Sequence, residues 1–357
     1  MAYPPLEFAK AMSINSISEK HSIRKVLMHL DGKENDAILF LTSNEMFLNP
    51  EYTGEFEELN QWLIKNRQGM YHNMYNEPGK IELGTEEDKG AAADCILPYL
   101  IAGSWARNKQ IYTFDPELES MLADIDEIKL PIRILDRVPF QDMYIQFASD
   151  GDLARNFHGA FVKIMPYRTG YCISVVRIRD DLKAMTGFYP FVPDGDDPEA
   201  DFIINKDTDI QTSEEGSHID FRRFCMFLLN ALLYLCSENA EVRESELTRK
   251  TYRPGKTVKN KFSEIQINEC GYVYGSMVRK QRKDHESKAS ENAKKAEEEN
   301  AAPIQHRSHP VRAHVRKAHW HHYWTGKGRK ELVLRWIAPT PVGYGEKLAN
   351  IHKVTEK

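Results

Sequence analysis

Histidines, cations and aromatic residues are concentrated in residues 306–324. Six of the thirteen histidines lie there, interleaved with two tryptophans and a tyrosine. Between Ala301 and Lys330 there are seven Lys or Arg and no Asp or Glu. Burying so many unpaired titratable groups would cost several kcal/mol each, so this composition is not that of an ordinary core strand. The stretch therefore calls for a functional explanation.

The first chemistry that these residue types support is nucleic-acid binding. The candidate binding residues are Arg312, Arg316, Lys317, Trp320, Tyr323 and Trp324. The three cations would neutralise phosphates and release counterions. The three aromatic side chains would stack on unpaired bases, which favours RNA over duplex DNA, at about 1–3 kcal/mol per base. The alternative is that both tryptophans are core residues of a hairpin, because large aromatic side chains are usually mostly buried.

Two further interpretations concern His314, His319 and His321. On a strand His319 and His321 alternate, so both could face one metal ion, and His314 could add a third ligand. No Cys, Asp or Glu lies near them in sequence and cations surround them, so we expect no metal and no cofactor. A histidine pair beside a cation could also act as general base and general acid in RNA cleavage. Binding without cleavage is the favoured interpretation, and no catalytic residue is assigned.

The residues that follow predict how this stretch is positioned. On a strand, the odd-numbered residues 317–323 would share one face and the even-numbered residues 316–324 the other. The aromatic and β-branched content favours a strand over a helix. Residues 325–328 supply a turn, and residues 331–337 read as a second strand that Pro339 ends. The sequence therefore predicts a basic C-terminal β-hairpin with one His-rich arm.

Upstream, apolar periodicity and breaker residues predict the other elements. Residues 90–109 carry an apolar stripe at helical spacing, and Asp115 followed by proline marks the start of another helix. Residues 131–135 read as a strand. Arg177 and Arg179, in the second strand of a predicted hairpin, alternate with apolar residues, so one face of that strand is expected to be wet. Residues 221–237 form a helix that is apolar nearly all round and hence buried.

We predict an α+β fold in four parts. These are a mostly helical N-terminal part (1–128), a central α+β body (129–278), a charged linker or solvated helix (279–305), and a basic His/Trp-rich module (306–357). The helical part is expected to pack on a mainly antiparallel sheet. The module is expected either to extend that sheet or to form a satellite.

Charge is distributed unevenly along the 357 residues. Residues 301–357 contain eleven Lys or Arg and three Asp or Glu, a balance of +8, so the remainder carries −13 of the total of −5. An acidic body with a basic module predicts a polyanionic partner, most simply nucleic acid. The five cysteines are scattered, which favours a reduced, cytoplasmic setting. The absence of a run of ~18 apolar residues predicts no membrane span.

Several motifs resemble those of a known family. The closing one reads Arg312-x-His314-x-Arg316-x-x-His319-Trp320-His321-x-Tyr323-Trp324, then Gly326 and a strand ending Arg335-Trp336. Upstream motifs, in order, are Leu97-x-Tyr99-Leu100-x-x-Gly103-x-Trp105, Ile111-Tyr112, Leu130-Pro131 and Glu246-Leu247-Thr248-Arg249. Together these are similar to a type V-A anti-CRISPR family over about residues 90–340. Residues 1–89 depart from its pattern.

The resemblance implies a phage- or plasmid-encoded inhibitor of type V-A CRISPR immunity. Such an inhibitor would recognise the nascent effector nuclease during translation and cause loss of its mRNA. Its partners would be the nascent effector polypeptide and mRNA or ribosomal RNA, with the ribosome as a further candidate and no membrane. It would act in the cytoplasm of the bacterial host. The alternatives are an RNA-cleaving enzyme, metal-independent or metal-assisted, with its site in the module, and a protein–protein module without RNA affinity.

Overall fold

The computed structural model describes residues 3–16, 22–42, 59, 86–125, 127–148, 157–167, 170–179, 184–191, 201–204, 218–248, 251–253, 256–258, 265–298 and 314–342. Its helices are α1 (Pro4–Ala11), α2 (Ser22–His29), α3 (Glu34–Thr42), α4 (Glu86–Trp105), α5 (Pro116–Ala123), α6 (His218–Cys236) and α7 (Tyr272–Glu298), with 3₁₀ turns at Ile14–Ser16 and Ile132–Arg137. Its strands are β1 (Gln110–Phe114), β2 (Ile128–Pro131), β3 (Asp142–Gln146), β4 (Phe157–Tyr167), β5 (Gly170–Arg179), β6 (Ala184–Phe191), β7 (Asp201–Ile204), β8 (Val242–Glu244), β9 (Thr251–Arg253), β10 (Lys256–Val258), β11 (Gln266–Cys270), β12 (His314–Arg316), β13 (His319–Thr325), β14 (Glu331–Ile337) and β15 (Thr340–Val342).

A seven-stranded sheet forms the middle layer, in the order β6-β5-β4-β3-β1-β11-β8. β1 lies parallel to both of its neighbours, β3 and β11, whereas the other pairings in the sheet are antiparallel. The α+β class therefore matches the prediction, but the sheet is mixed. The strand at residues 110–114 was not predicted, although the sheet is built around it.

The N-terminal helices cover one face of this sheet. Their buried side chains form a core with residues of β1, β3, β4, β5 and β11. The apolar stripe predicted for α4 is buried, ending at Trp105, which is 1% exposed. The ring of Phe161 on β4 contacts the rings of both Trp105, at 5.1 Å between centroids, and Phe8 of α1, at 5.6 Å.

Helices α5 and α6 cover the opposite face, together with the β13–β14 hairpin. Asp115 caps α5, as predicted: its carboxylate accepts a hydrogen bond from the backbone N–H of Glu117, and Pro116 occupies the first turn. α6 is buried on nearly every side, as its composition predicted, and Phe227 meets Phe114 of β1 edge to face at 5.6 Å. The sheet thus separates two apolar cores.

Two local predictions were wrong. Residues 131–135 are not a strand, because β2 ends at Pro131 and the chain continues as a 3₁₀ turn that buries Ile132, Ile134 and Leu135. Arg179, at the end of β5, is exposed as expected for a wet strand face, but Arg177 does not face water. Its guanidinium carbon lies 4.5 Å from the ring of Phe157 and 5.0 Å from that of Phe224, and the residue is 9% exposed.

Helix α7 crosses the boundary predicted between residues 278 and 279. Its first turns are tied to α5 by two ion pairs, Arg279 with Asp115 and Arg282 with Glu117, each at 2.8 Å. Residues 279–298 are therefore helical and continuous with the body, while residues 299–305 lie outside the described residues.

Candidate nucleic-acid interface on the C-terminal hairpin

Seven residue pairs join β13 to β14 in an antiparallel hairpin, from His319 opposite Ile337 to Thr325 opposite Glu331. The turn between them contains Gly326 and Gly328 at φ +76° and +80°, a region that glycine enters without a Cβ penalty. The hairpin is a separate two-stranded sheet, so it does not extend the central sheet. It packs by one face onto the α6 core.

The inward face of the hairpin holds the tryptophans. Trp320 lies opposite Trp336, His322 opposite Leu334, and Trp324 opposite Leu332. The three β14 partners are all buried, with Leu334 at 0% exposure. Trp320 and Trp324 are half-buried and pack against the same core. The predicted division of odd- and even-numbered residues between two faces is confirmed for residues 319–324 of β13, whereas Arg316 lies on β12.

Trp320 is held by a buried amide of α6. Its indole N–H donates to Oδ1 of Asn230 at 2.7 Å, and Asn230 is 0% exposed. The Asn230 amide nitrogen in turn donates to the carbonyls of Leu122 and Met226, at 2.9 and 2.8 Å. Both N–H groups of this amide and its oxygen therefore have a defined partner, which fixes the amide and orients the indole.

Trp336 anchors the second strand. Its ring meets Tyr234 of α6 and Tyr274 of α7 edge to face, at 5.9 and 5.0 Å between centroids. Burial raises the pKa of Tyr274 to about 12, with a further contribution from Glu117, so this phenol is neutral near pH 7. Asn239 pairs with the backbone N–H and C=O of Trp336, at 3.0 and 2.9 Å. The hairpin is thereby bonded to the residues that follow α6.

The outward face carries His319, His321, Tyr323 and Arg335. The rings of His321 and Tyr323 lie 5.7 Å apart at an angle of 32°, and Arg335, directly opposite His321, is 5.7 Å from the Tyr323 ring. Both histidines are exposed. Arg335 Nη2 lies 2.8 Å from Oε2 of Glu238. The hydrogen bond to Glu238 and the negative charge of that carboxylate raise the pKa of Arg335. This face can stack on a planar ring and donate to an anion.

A groove opens beside the hairpin turn. Its lining residues are Arg133, Tyr323, Trp324, Arg329 and Lys330, and its volume is about 720 Å³. Arg133 comes from the 3₁₀ turn at Ile132–Arg137, and its guanidinium carbon lies 4.9 Å from the centre of the Trp324 ring. Among the described residues that line the groove, three are cations and two are aromatic, and none is acidic.

The predicted site residues lie on different parts of the C-terminal module. Lys317 and His319 are exposed, with His319 Nδ1 3.2 Å from the carbonyl of Lys317. Tyr323 is half-buried on the outward face, whereas Trp320 and Trp324 lie on the inward face. The indole N–H of Trp320 already donates to Asn230. His314 and Arg316 lie on β12, paired with β15. Arg312 lies outside the described residues. Their role in nucleic-acid binding stays a prediction.

Sequence reasoning missed Arg133, Arg329, Lys330 and Arg335 as site residues. Arg329 and Lys330 follow the turn glycines in an acid-free stretch, which could have marked them. Arg133 carries no such signal, because it is far from the module in sequence. The part of the chain that the structure describes contains no group of three or more His, Cys, Asp or Glu placed to hold a metal ion. No described helix is long and apolar enough to cross a membrane.

Comparison with known proteins defines the class. The sequence model of the AcrVA2-like family, described as the anti-CRISPR type V subtype A2 family, matches residues 112–344. The chain belongs to this family, and its class of function is that of a type V-A anti-CRISPR protein. The matched region begins within β1 and includes the later strands of the central sheet and the whole hairpin.

Solved structures give a particular relative. Three chains of solved structures are similar, and one of them is described as the crystal structure of AcrVA2. It shares 18% identity with this chain at a TM-score of 0.40, over 90% of this chain and 99% of that one. No curated protein matches the chain significantly.

Proposed function

We propose that this anti-CRISPR protein lowers the amount of the type V-A effector nuclease by acting on its synthesis. The acidic body recognises the nascent effector polypeptide in the cytoplasm of the bacterial host, and the hairpin binds the associated mRNA or ribosomal RNA. Loss of the effector mRNA follows. A phage or plasmid supplies the protein.

One observation carries the RNA-binding part of this proposal: the outward face of the docked hairpin. On it, His321 and Arg335 each lie 5.7 Å from the Tyr323 ring. Its opposite face is fixed to α6, so these side chains are presented on a rigid support. Aromatic planes next to cations are what single-stranded RNA requires, because its bases stack while its phosphates are neutralised.

The test measures effector mRNA in bacteria with and without the protein. Three forms of the effector gene are compared: the natural sequence, one with its first codons recoded synonymously, and one with changed N-terminal residues. Loss of mRNA from the first two but not the third is expected, since recognition is of the peptide. An effect that disappears on synonymous recoding would contradict recognition of the polypeptide.

The hairpin is tested in the same assay with the double variant His321→Ala, Arg335→Ala. We expect the mRNA to be retained, because the stacking plane and the cation are removed together. Arg282→Ala is the matched control: it removes an exposed arginine of α7 that is ion-paired with Glu117 of α5. Equal mRNA loss with both variants would show that the outward face is not used.

A second candidate is RNA cleavage by the exposed histidines. His319 and His321 lie on the same face of β13, and Arg335 is directly opposite His321, which supplies the residue types for acid–base cleavage. Purified protein is incubated with RNA with and without chelator. Cleavage that His319→Ala or His321→Ala abolishes, with binding retained, would establish the enzyme. RNA that stays bound and intact supports binding without cleavage.

A further inference from the structure

The groove beside the hairpin turn combines an aromatic wall with three cations. Lys330 and Arg329 come from the turn of the hairpin, whereas Arg133 comes from the body. Its volume of about 720 Å³ falls within the range of about 300–1,000 Å³ in which pockets hold small ligands. Its charge excludes cationic ligands and favours an anion.

Arg133 contacts the aromatic wall of the groove. Its guanidinium lies over the Trp324 ring, 4.9 Å from the ring centre. A cation over an aromatic face is attracted by the ring, which favours this position of the side chain. The planar fork of N–H groups in a guanidinium matches phosphate oxygens, so Arg133 is suited to a phosphate ligand. The contact with Arg133 also gives the inward-facing Trp324 a role in the site without requiring it to contact a base.

We propose that this groove binds one unpaired nucleotide of a single-stranded nucleic acid. The phosphate lies between Arg133, Arg329 and Lys330, and the base stacks on Tyr323. This inference rests on the proposed function for its RNA source, and it adds a defined subsite to the outward face. Because a base must leave its duplex to reach Tyr323, single strands are bound in preference to duplexes.

The groove exists only while the hairpin is docked. Arg133 belongs to the 3₁₀ turn, and the other four lining residues belong to the hairpin, so docking brings the two sets together. The Trp320–Asn230 hydrogen bond is one of the contacts that set this position. Trp320 is therefore a positioning residue for nucleic-acid binding.

The test is fluorescence anisotropy of the full chain with a labelled 10-mer single-stranded RNA, the same sequence as DNA, and an RNA duplex. Arg133→Ala and Lys330→Ala should each weaken single-strand binding about tenfold and each lower the log–log salt slope by about 0.7, the value per phosphate contact on single strands. The matched controls are Arg137→Ala, from the same 3₁₀ turn, and Lys327→Ala, from the same hairpin turn. Neither lines the groove, so both should stay within about twofold of the wild type.

The outcomes separate the subsite from the proposed function. Wild-type protein that fails to bind RNA even at low salt would overturn both. Normal binding by the groove variants, with binding lost in His321→Ala, Arg335→Ala, would overturn the groove alone. Equal losses of affinity for the duplex and the single strand in the groove variants would overturn the proposal that the groove binds an unpaired nucleotide. Equal affinity for the RNA and DNA single strands supports the subsite and shows that it does not read the 2′-hydroxyl. Melting temperatures confirm that each variant is folded, and Arg133→Lys, which keeps charge without the planar fork, should restore only part of the affinity.

Discussion

The two faces of the C-terminal hairpin are built from similar residues, yet one face packs on the core and the other faces outward. On the inward face an indole N–H meets the buried Asn230, and Trp336 lies between two tyrosines. On the outward face the imidazoles are exposed, and Arg335 is paired with a solvent-exposed carboxylate. Residue type alone therefore does not reveal where a side chain lies: Trp320 is bonded to the core, whereas Tyr323 lies half-buried on the outward face.

The largest expected effect comes from breaking the inward face. Trp336→Ala should lower the free energy of unfolding by about 3–5 kcal/mol, because it empties a site walled by Tyr234 and Tyr274. Chemical denaturation followed by circular dichroism measures this. Val333→Ala, on the outward face of the same strand, is the matched control and should cost about 1 kcal/mol or less. Similar losses for both would remove the distinction between the faces.

The next effect sharpens the role of the anchor hydrogen bond. Trp320→Phe keeps an aromatic ring but removes the donor, leaving Oδ1 of the fully buried Asn230 without its partner. We expect a loss of about 1–3 kcal/mol in unfolding free energy. A double-mutant cycle with Asn230→Ala should give a coupling energy of about 0.5–3 kcal/mol. Strict additivity of the two changes would show that the bond contributes nothing.

A third prediction concerns Tyr323, which faces outward. Tyr323→Ala should change the unfolding free energy by about 1 kcal/mol or less, since the ring is only half-buried. Its affinity for single-stranded RNA should fall about tenfold, because a stacked base loses its platform. Tyr323→Phe, which keeps the ring, should bind nearly as well as the wild type. A phenylalanine variant as weak as the alanine variant would point to the hydroxyl instead of the ring.

The smallest effect concerns the ion pair at the edge of the outward face. Glu238→Gln removes the carboxylate that accepts from Arg335 at 2.8 Å. The RNA phosphates then no longer compete with a carboxylate for the guanidinium of Arg335, so RNA affinity should rise by about twofold at low salt. At high salt the affinity should return to the wild-type value, because salt screens the attraction between Arg335 and phosphate. Weaker RNA binding in this variant would mean that Glu238 positions Arg335 and does not compete with the ligand.

The sequence predicts the hairpin well because period-two alternation and turn residues are local signals. It assigns residues 319–324 to the correct two faces, and it marks Asp115 as a cap. It does not say which face is covered, since that depends on α6, whose Asn230 is ninety residues from Trp320 in sequence. Arg133 is missed for the same reason: its neighbour Trp324 is supplied by the fold.

The strand at residues 110–114 shows a different limit. It lies between two helices and is only five residues long, so it offers little pattern of its own. Its partners are β3 and the distant β11, in parallel register. Arg177 is a third case, because two phenylalanines from other elements make its burial favourable. In each case, side chains far along the chain decide what local periodicity cannot.

The position of β1 has a consequence for how the protein is made. One edge of β1 pairs with β3, which follows it closely, but the other edge waits for β11, which begins at Gln266. At about 5–20 residues per second, the ribosome needs roughly 8–30 s to deliver that partner. The growing chain therefore carries an open strand edge while the residues between Phe114 and Gln266 are synthesised, and a product cut short before Gln266 would retain that edge as a template for aggregation.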